Sequence, residues 1–288
     1  MTKTPCCEGT ASFLKKRRNY PLGAVCKRCS EELWKSIKLL IMNKQLENLS
    51  LYHSLRELAL NGKVVCFSGA GMSAESNLST FRDAGGLWEK NRIEDVATPD
   101  AWQRNPERVL NFYNQRRKQL FTVEPNAAHL ALAELEKIID LRIITQNVDN
   151  LHERAGSSNV MHVHGELMKA QSELDPSYVV ELEDWQLQIG DKCPRGGQLR
   201  PHVVWFGEPV EKMEAAYQLV AKADLLLVVG TSLEVYPAAG LVTSVNPHVT
   251  KLLIDPSELN LTGVSNAHHL KTTATNGMQQ LLKLITNK

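Results

Sequence analysis

Two histidines, a glycine-rich turn, an amide–carboxylate run and a tyrosine–arginine pair are the residues whose types and spacing suit chemistry. Imidazole titrates near neutral pH, so His164 can take a hydroxyl proton if the fold places it correctly. His162 stands two residues away, and on a strand those side chains would alternate, leaving only one to face a cleft. Gln146-Asn147-Val148-Asp149 directly follows an apolar run, where its side chains can converge on a ligand, although an ordinary polar turn has the same look. Gly69-Ala70-Gly71-Met72-Ser73-Ala74-Glu75-Ser76 follows another apolar run. Its glycines either let the backbone approach a pyrophosphate, with free N–H groups at the next helix start, or serve a tight strand-to-helix turn. The loop lacks both G-x-G-x-x-G and G-K-[ST], which speaks against a standard dehydrogenase and an ATPase. Tyr113 and Arg116 are three apart and share one helical face. Guanidinium and phenol together can hold a carboxylate, with packing and solvation as the plainer reading of an isolated pair.

The cysteines are Cys6, Cys7, Cys26, Cys29, Cys66 and Cys193. In a chain of 288 residues with no export signal a disulfide framework is not expected, which leaves metal binding or burial. Cys6-Cys7 with Cys26-x-x-Cys29 can make a separate zinc knuckle, but the adjacent pair is awkward geometry for one ion and free thiols are the alternative. Lysine plus arginine total 33 against 32 acidic residues, so no net field draws the chain to nucleic acid or an anionic membrane. No apolar run approaches the length of a membrane span, and the reading is a soluble, cytoplasmic protein.

Elements must position these groups. Residues 1–50 read as an extension carrying the basic run Lys15-Lys16-Arg17-Arg18 and a helix-like stretch from Glu31 to Leu49. From Gly62 onward short apolar runs alternate with longer helical stretches: Val64 to Ser68, Leu141 to Thr145, Leu225 to Val229 and Leu252 to Ile254. That alternation predicts an α/β fold, a Rossmann-like parallel sheet covered by helices. A second, smaller lobe is formed by insertions, from approximately 84–125 and 166–200 of a domain spanning 51–288. Ligands of such sheets bind outside the carboxyl ends of the strands, where the groups above fall.

Further segments carry a family resemblance. They are Ser79-Thr80-Phe81-Arg82-Asp83-Ala84-Gly85-Gly86-Leu87-Trp88, Ala97-Thr98-Pro99, Thr145 through Gly156, His162-Val163-His164-Gly165-Glu166, Leu199 through Glu208 and Gly230-Thr231-Ser232. In this order they resemble the sirtuins, from about Gly62 to the carboxyl terminus. The resemblance implies NAD-dependent removal of acyl groups from protein lysines, giving nicotinamide and O-acyl-ADP-ribose. NAD is the co-substrate and an acylated lysine in a protein the partner. His164 is the implied base for the ribose hydroxyl, with His162 supporting it. Asn147 and Asp149 shape the nicotinamide pocket. Gly69, Ala70, Gly71, Ala74, Glu75, Phe81, Arg82, Gln146, Val148, Gly230, Thr231, Ser232, Asp255 and Ala274 are the implied remaining contacts to NAD. Val204, Phe206 and Gly207 are implied to bind substrate. The Tyr113-x-x-Arg116 pair lies between the A-T-P motif and Pro125-Asn126-Ala127-Ala128-His129. It is similar to the motif of desuccinylase- and demalonylase-type, bacterial-like sirtuins, which implies succinyl and malonyl preferred over acetyl.

One departure stands out. Most sirtuins bind zinc with two cysteine pairs between the catalytic histidine and the L-R-P motif, and here that interval holds only Cys193. The usual four-cysteine site cannot form from this segment alone, so no zinc is expected in the catalytic lobe. The alternating apolar residues in the latter half of Tyr178 to Ile189 suggest a half-buried strand that packs instead. Two rival functions remain: a protein mono-ADP-ribosyltransferase, and a non-catalytic NAD-binding module.

Overall fold

A computed structural model describes residues 50–78 and 91–286. Phe81, Arg82 and the four cysteines of the extension lie outside the described residues, as do the basic run and the Glu31–Leu49 stretch.

A six-stranded parallel sheet organises the domain. Its strands are β1 (Lys63–Ser68), β2 (Asp140–Thr145), β3 (Val160–His162), β7 (Leu225–Val229), β8 (Thr250–Ile254) and β9 (Ala267–Leu270). The central strands β1 and β7 are almost wholly buried, which follows from unbroken runs such as Leu225-Leu226-Leu227-Val228-Val229 covered on both faces. The spatial order is β3-β2-β1-β7-β8-β9. The chain builds outward from β1 on one side and returns to start the other half at β7. This reversal makes a topological switch point at the carboxyl ends of β1 and β7, the usual ligand position in such sheets.

The second sheet is antiparallel, in the order β5-β4-β6, from β4 (Gly165–Ser172), β5 (Val179–Glu181) and β6 (Leu199–Val203). Four helices matter most here: α1 (Gly71–Ala74), α2 (Ile93–Val96), α3 (Pro99–Arg104) and α4 (Pro106–Leu120). Helix α4 starts where Asn105 accepts a 2.9 Å bond from the Arg108 amide, with Pro106 in the first turn. Its inner face, with Val109, Leu110, Phe112 and Tyr113, joins Leu167, Leu187 and Trp205 in one apolar core. Helix α5 (Ala127–Glu136) opens on a capping box between Asn126 and His129. Helix α6 (Leu151–Arg154) follows β2. Helices α7 (Met213–Val220), α8 (Gly240–Ser244) and α9 (Ala274–Thr286) follow later in the chain.

The expected strand in the latter half of Tyr178–Ile189 is not formed: β5 ends at Glu181, and the following backbone is irregular. The cause lies on α4. Asn114 donates to the Leu187 carbonyl at 3.0 Å and accepts from the Leu187 amide at 3.1 Å. Arg117, fully buried, donates to the Trp185 carbonyl at 2.7 Å and the Leu167 carbonyl at 3.3 Å, and also bonds Asn114. Polar side chains of a helix thus take the backbone groups that a neighbouring strand would otherwise use. Leu187 still reaches the core, being 2% exposed.

Candidate active site

The turn after β1 meets the turn after β7 at the switch point. The Gly69 and Gly71 amides donate to Val229 and Gly230 carbonyls at 3.0 and 2.8 Å. A Cβ on Gly69 would lie 2.7 Å from the Thr231 Cβ, and one on Gly71 2.8 Å from the Gly230 Cα. These glycines are therefore required for the mutual approach of the two turns. The Met72 and Ser73 amides donate to the Gly69 and Ala70 carbonyls, so the free N–H groups expected at the start of α1 are already engaged. Ala70 itself is exposed at the tip, while Ala74 is half-buried.

The segment after β2 packs beside this turn. Asn147 and Asp149 are 7% and 8% exposed. The Asn147 amide side chain donates to the Gly69 carbonyl at 3.1 Å and to Ser73 Oγ at 3.2 Å, and Ser73 donates to Asp149 at 3.0 Å. Ser73 links the two side chains, although a serine inside a glycine-rich turn carries no sequence pattern of its own. Asp149 also accepts from the Leu151 amide at 3.2 Å. Burial raises its carboxyl above the usual range against the pull of these donors. Gln146 donates to Thr231 Oγ1 at 2.9 Å, tying the β2 and β7 ends together. Val148 is half-buried against the α4 core.

The histidines are separated by a turn rather than by strand pleating, since β3 stops at His162. His162 is buried, with Nδ1 2.8 Å from the Asn147 carbonyl and Nε2 2.8 Å from Glu153 Oε1. Both partners only accept, so both ring nitrogens donate. Burial alone would depress its pKa, but the Glu153 carboxylate and the carbonyl outweigh it and hold the ring charged. His164 is half-buried, and its Nδ1 lies 3.1 Å from the Gln146 carbonyl. That contact fixes the proton on Nδ1 and leaves Nε2 with a lone pair. Burial lowers its pKa, outweighing the carbonyl, so the ring is neutral at pH 7.

On the far side, Gly230 adopts φ +61° and Ser232 is half-buried. Asp255, after β8, is buried and accepts from the Ser257 amide at 2.8 Å. Ala274 opens α9, where Glu75 accepts from the Thr275 amide at 2.9 Å.

Tyr113 and Arg116 share a face of α4 as their spacing requires. Tyr113 is 2% exposed, and its hydroxyl accepts from the Trp205 indole at 3.1 Å. Arg116 lies over the Phe112 and Tyr113 rings, at 6.0 and 5.9 Å from their centroids. Burial lowers its pKa, outweighing the opposite influence of Tyr113 and Asp149. The Val204 amide donates to the His164 carbonyl at 3.0 Å and the Phe206 amide to the Ala97 carbonyl at 3.0 Å. Phe206 is 47% exposed, and Gly207 sits at φ +95° with open space around its α-carbon.

Strand order and the buried polar set define an α/β protein with glycine turns and polar side chains gathered at its switch point. The sequence profile of the Sir2 family matches residues 69–237. NAD-dependent protein deacylases of Bacteroides thetaiotaomicron and Helicobacter pylori are each 52% identical. The alignments span 77% of this chain and 97% and 95% of those proteins. A solved complex of a mutant Sir2 homologue with ADP-ribose superposes with a TM-score of 0.75 at 38% identity, over 81% of this chain and 96% of that one. The chain belongs to the Sir2 family.

Proposed function

We propose that this chain is an NAD-dependent protein-lysine deacylase that favours acidic acyl groups, succinyl and malonyl, over acetyl. Three features carry the reading together. They are a neutral His164 with its Nε2 unprotonated, the buried Asn147–Ser73–Asp149 set beside the switch-point turns, and a cation–phenol pair on α4. Relatives at this identity that bear the deacylase name, and a homologue that holds ADP-ribose, support the choice of co-substrate.

NAD would supply an electrophilic ribose carbon with nicotinamide as its leaving group, bordered by Gly69, Gly71, Gly230 and Thr231. Asn147 and Asp149 orient the nicotinamide end. Both are fixed by Ser73 and by backbone groups, so they hold a position without reorganising as charge develops. His164 accepts the ribose hydroxyl proton at Nε2, and the Gln146 carbonyl stabilises the resulting imidazolium through Nδ1–H. Val204, Phe206 and Gly207 line the approach of the acyl-lysine.

Arg116 supplies the charge that an acidic acyl group needs, and Tyr113 a hydroxyl. Acetyl offers neither group a partner. Arg116→Met is expected to weaken succinyl kcat/KM more than tenfold and to leave acetyl kcat/KM nearly unchanged, because a charged hydrogen bond contributes about 1.5–3 kcal/mol. Steady-state rates on paired peptides check this, and equal losses on both acyl groups would return Arg116 to a structural role.

A further inference from the structure

Trp205 is fixed on several sides before it reaches Tyr113. Its ring lies 3.7 Å from the Arg200 guanidinium carbon, and Trp102 packs on it at 5.8 Å, tilted by 37°. Arg200 is held by both carboxylate oxygens of Glu208, at 2.7 and 3.0 Å. The Trp205 amide donates to that same carboxylate at 2.8 Å. Glu208 thus positions the indole from its backbone and, through Arg200, from its face. Trp205 and Tyr113 are each 2% exposed, so neither ring is free to swing.

The polarity of the 3.1 Å contact between them follows from chemistry alone. An indole N–H donates and cannot accept. The Tyr113 oxygen is therefore the acceptor, and its own hydrogen must point elsewhere. Accepting one bond also polarises the hydroxyl and makes it a better donor in the next. A carboxylate can only accept, so a phenol prepared in this way suits an acidic acyl group and gives nothing to a methyl group.

We propose that Trp205 is a positioning residue for acyl specificity: its indole N–H sets Tyr113 as a donor toward the acyl carboxylate, and the Glu208–Arg200 pair holds the indole in place. This rests on the acyl preference proposed above. It adds a residue that acts on selectivity without touching the acyl group itself.

The test uses the full chain and two peptides of one sequence, bearing succinyl- or acetyl-lysine. Trp205→Phe keeps an aromatic ring and removes the N–H. It should lower succinyl kcat/KM about fivefold or more, chiefly through KM, and leave acetyl kcat/KM within about twofold. In a Tyr113→Phe background it should add no further loss on succinyl, because the hydroxyl it serves is gone. Equal losses on both peptides, or full additivity with Tyr113→Phe, would overturn the proposal. A second readout leaves Trp205 intact: the indole ¹⁵N–¹H resonance should shift and exchange faster in Tyr113→Phe, and an unmoved signal removes the bond from the account. Arg116→Met separates the two layers. If it spares selectivity, the acyl reading itself fails; if it abolishes selectivity while Trp205→Phe does not alter it, only the role of Trp205 fails.

Discussion

At the scale of single residues, His164 and His162 show how identical side chains acquire opposite states from their neighbours. One ring nitrogen of His164 meets a carbonyl, whereas His162 meets a carbonyl on one side and a carboxylate on the other. Burial then keeps the first neutral, and Glu153 keeps the second charged. His164→Ala is expected to reduce deacylation by about a hundred- to ten-thousand-fold. Because the His164 pKa is lowered from 6.5, the unprotonated base is already the major form at pH 6.5, and the rise of activity with pH should have its midpoint below that pH. A pH–rate profile with intact NAD binding in the alanine variant checks both statements; unchanged turnover would move the base elsewhere. Of this site, the histidines, Asn147 and Asp149 were legible because their motifs are compact in sequence. Ser73 and Glu153 were not, since a serine and a glutamate acquire meaning here only from partners 76 and 9 residues away.

At the scale of elements, α4 carries Tyr113 and Arg116 and also bonds the segment after β5. Asn114 satisfies both backbone groups of Leu187 as well as bonding Arg117. Asn114→Ala leaves these buried groups without partners and is expected to cost about 2–4 kcal/mol. Chelation with EDTA is expected to leave deacylation unchanged, because Cys193 is the one cysteine between His164 and Arg200. Denaturant melts and rates measured before and after chelation check the pair, and lost activity after chelation would point to ligands outside this account. Among the described residues no group of three or more His, Cys, Asp or Glu is arranged to hold an ion. The apolar runs of β1 and β7 were readable because a strand buried on both faces must be continuously apolar, and β2 and β8 from the shorter runs Ile143-Ile144 and Leu252-Leu253-Ile254. The strands β3 and β9 were not, being short sheet edges of half-buried, mixed residues. The segment after β5 alternates like a strand, but Asn114 and Arg117, 73 and 68 residues away, claim its backbone, and sequence spacing carries no trace of that.

At the scale of the whole molecule, two histidines unused by the chemistry tie stability to pH. His129 and His152 are fully buried and meet edge to face at 5.0 Å, with His129 Nε2 and His152 Nδ1 lacking hydrogen-bond partners. Burial pushes their pKa values down to about 4 and about 3. The unfolded chain binds these protons near pH 6.5, so their contribution is intact above that pH and lost as pH falls from 6.5 toward the folded values. By pH 5 each should have cost about 2 kcal/mol relative to pH 8. His162, with its raised pKa, offsets part of this, because it contributes most at low pH. Urea denaturation at pH 8 and pH 5 should show the net loss, and a flat profile would mean that the two rings take up protons while folded.

The central claim is that the switch-point turns, His164 and the Tyr113–Arg116 pair act in one reaction. The most direct measurement is product analysis of the full chain with NAD and a lysine peptide in unmodified, acetylated or succinylated form. Nicotinamide should appear only with acylated peptide, in equal amount to deacylated peptide and O-acyl-ADP-ribose, with the succinylated peptide giving the higher kcat/KM. Nicotinamide released alongside ADP-ribose attached to protein, or produced at the same rate with unmodified peptide, would contradict it.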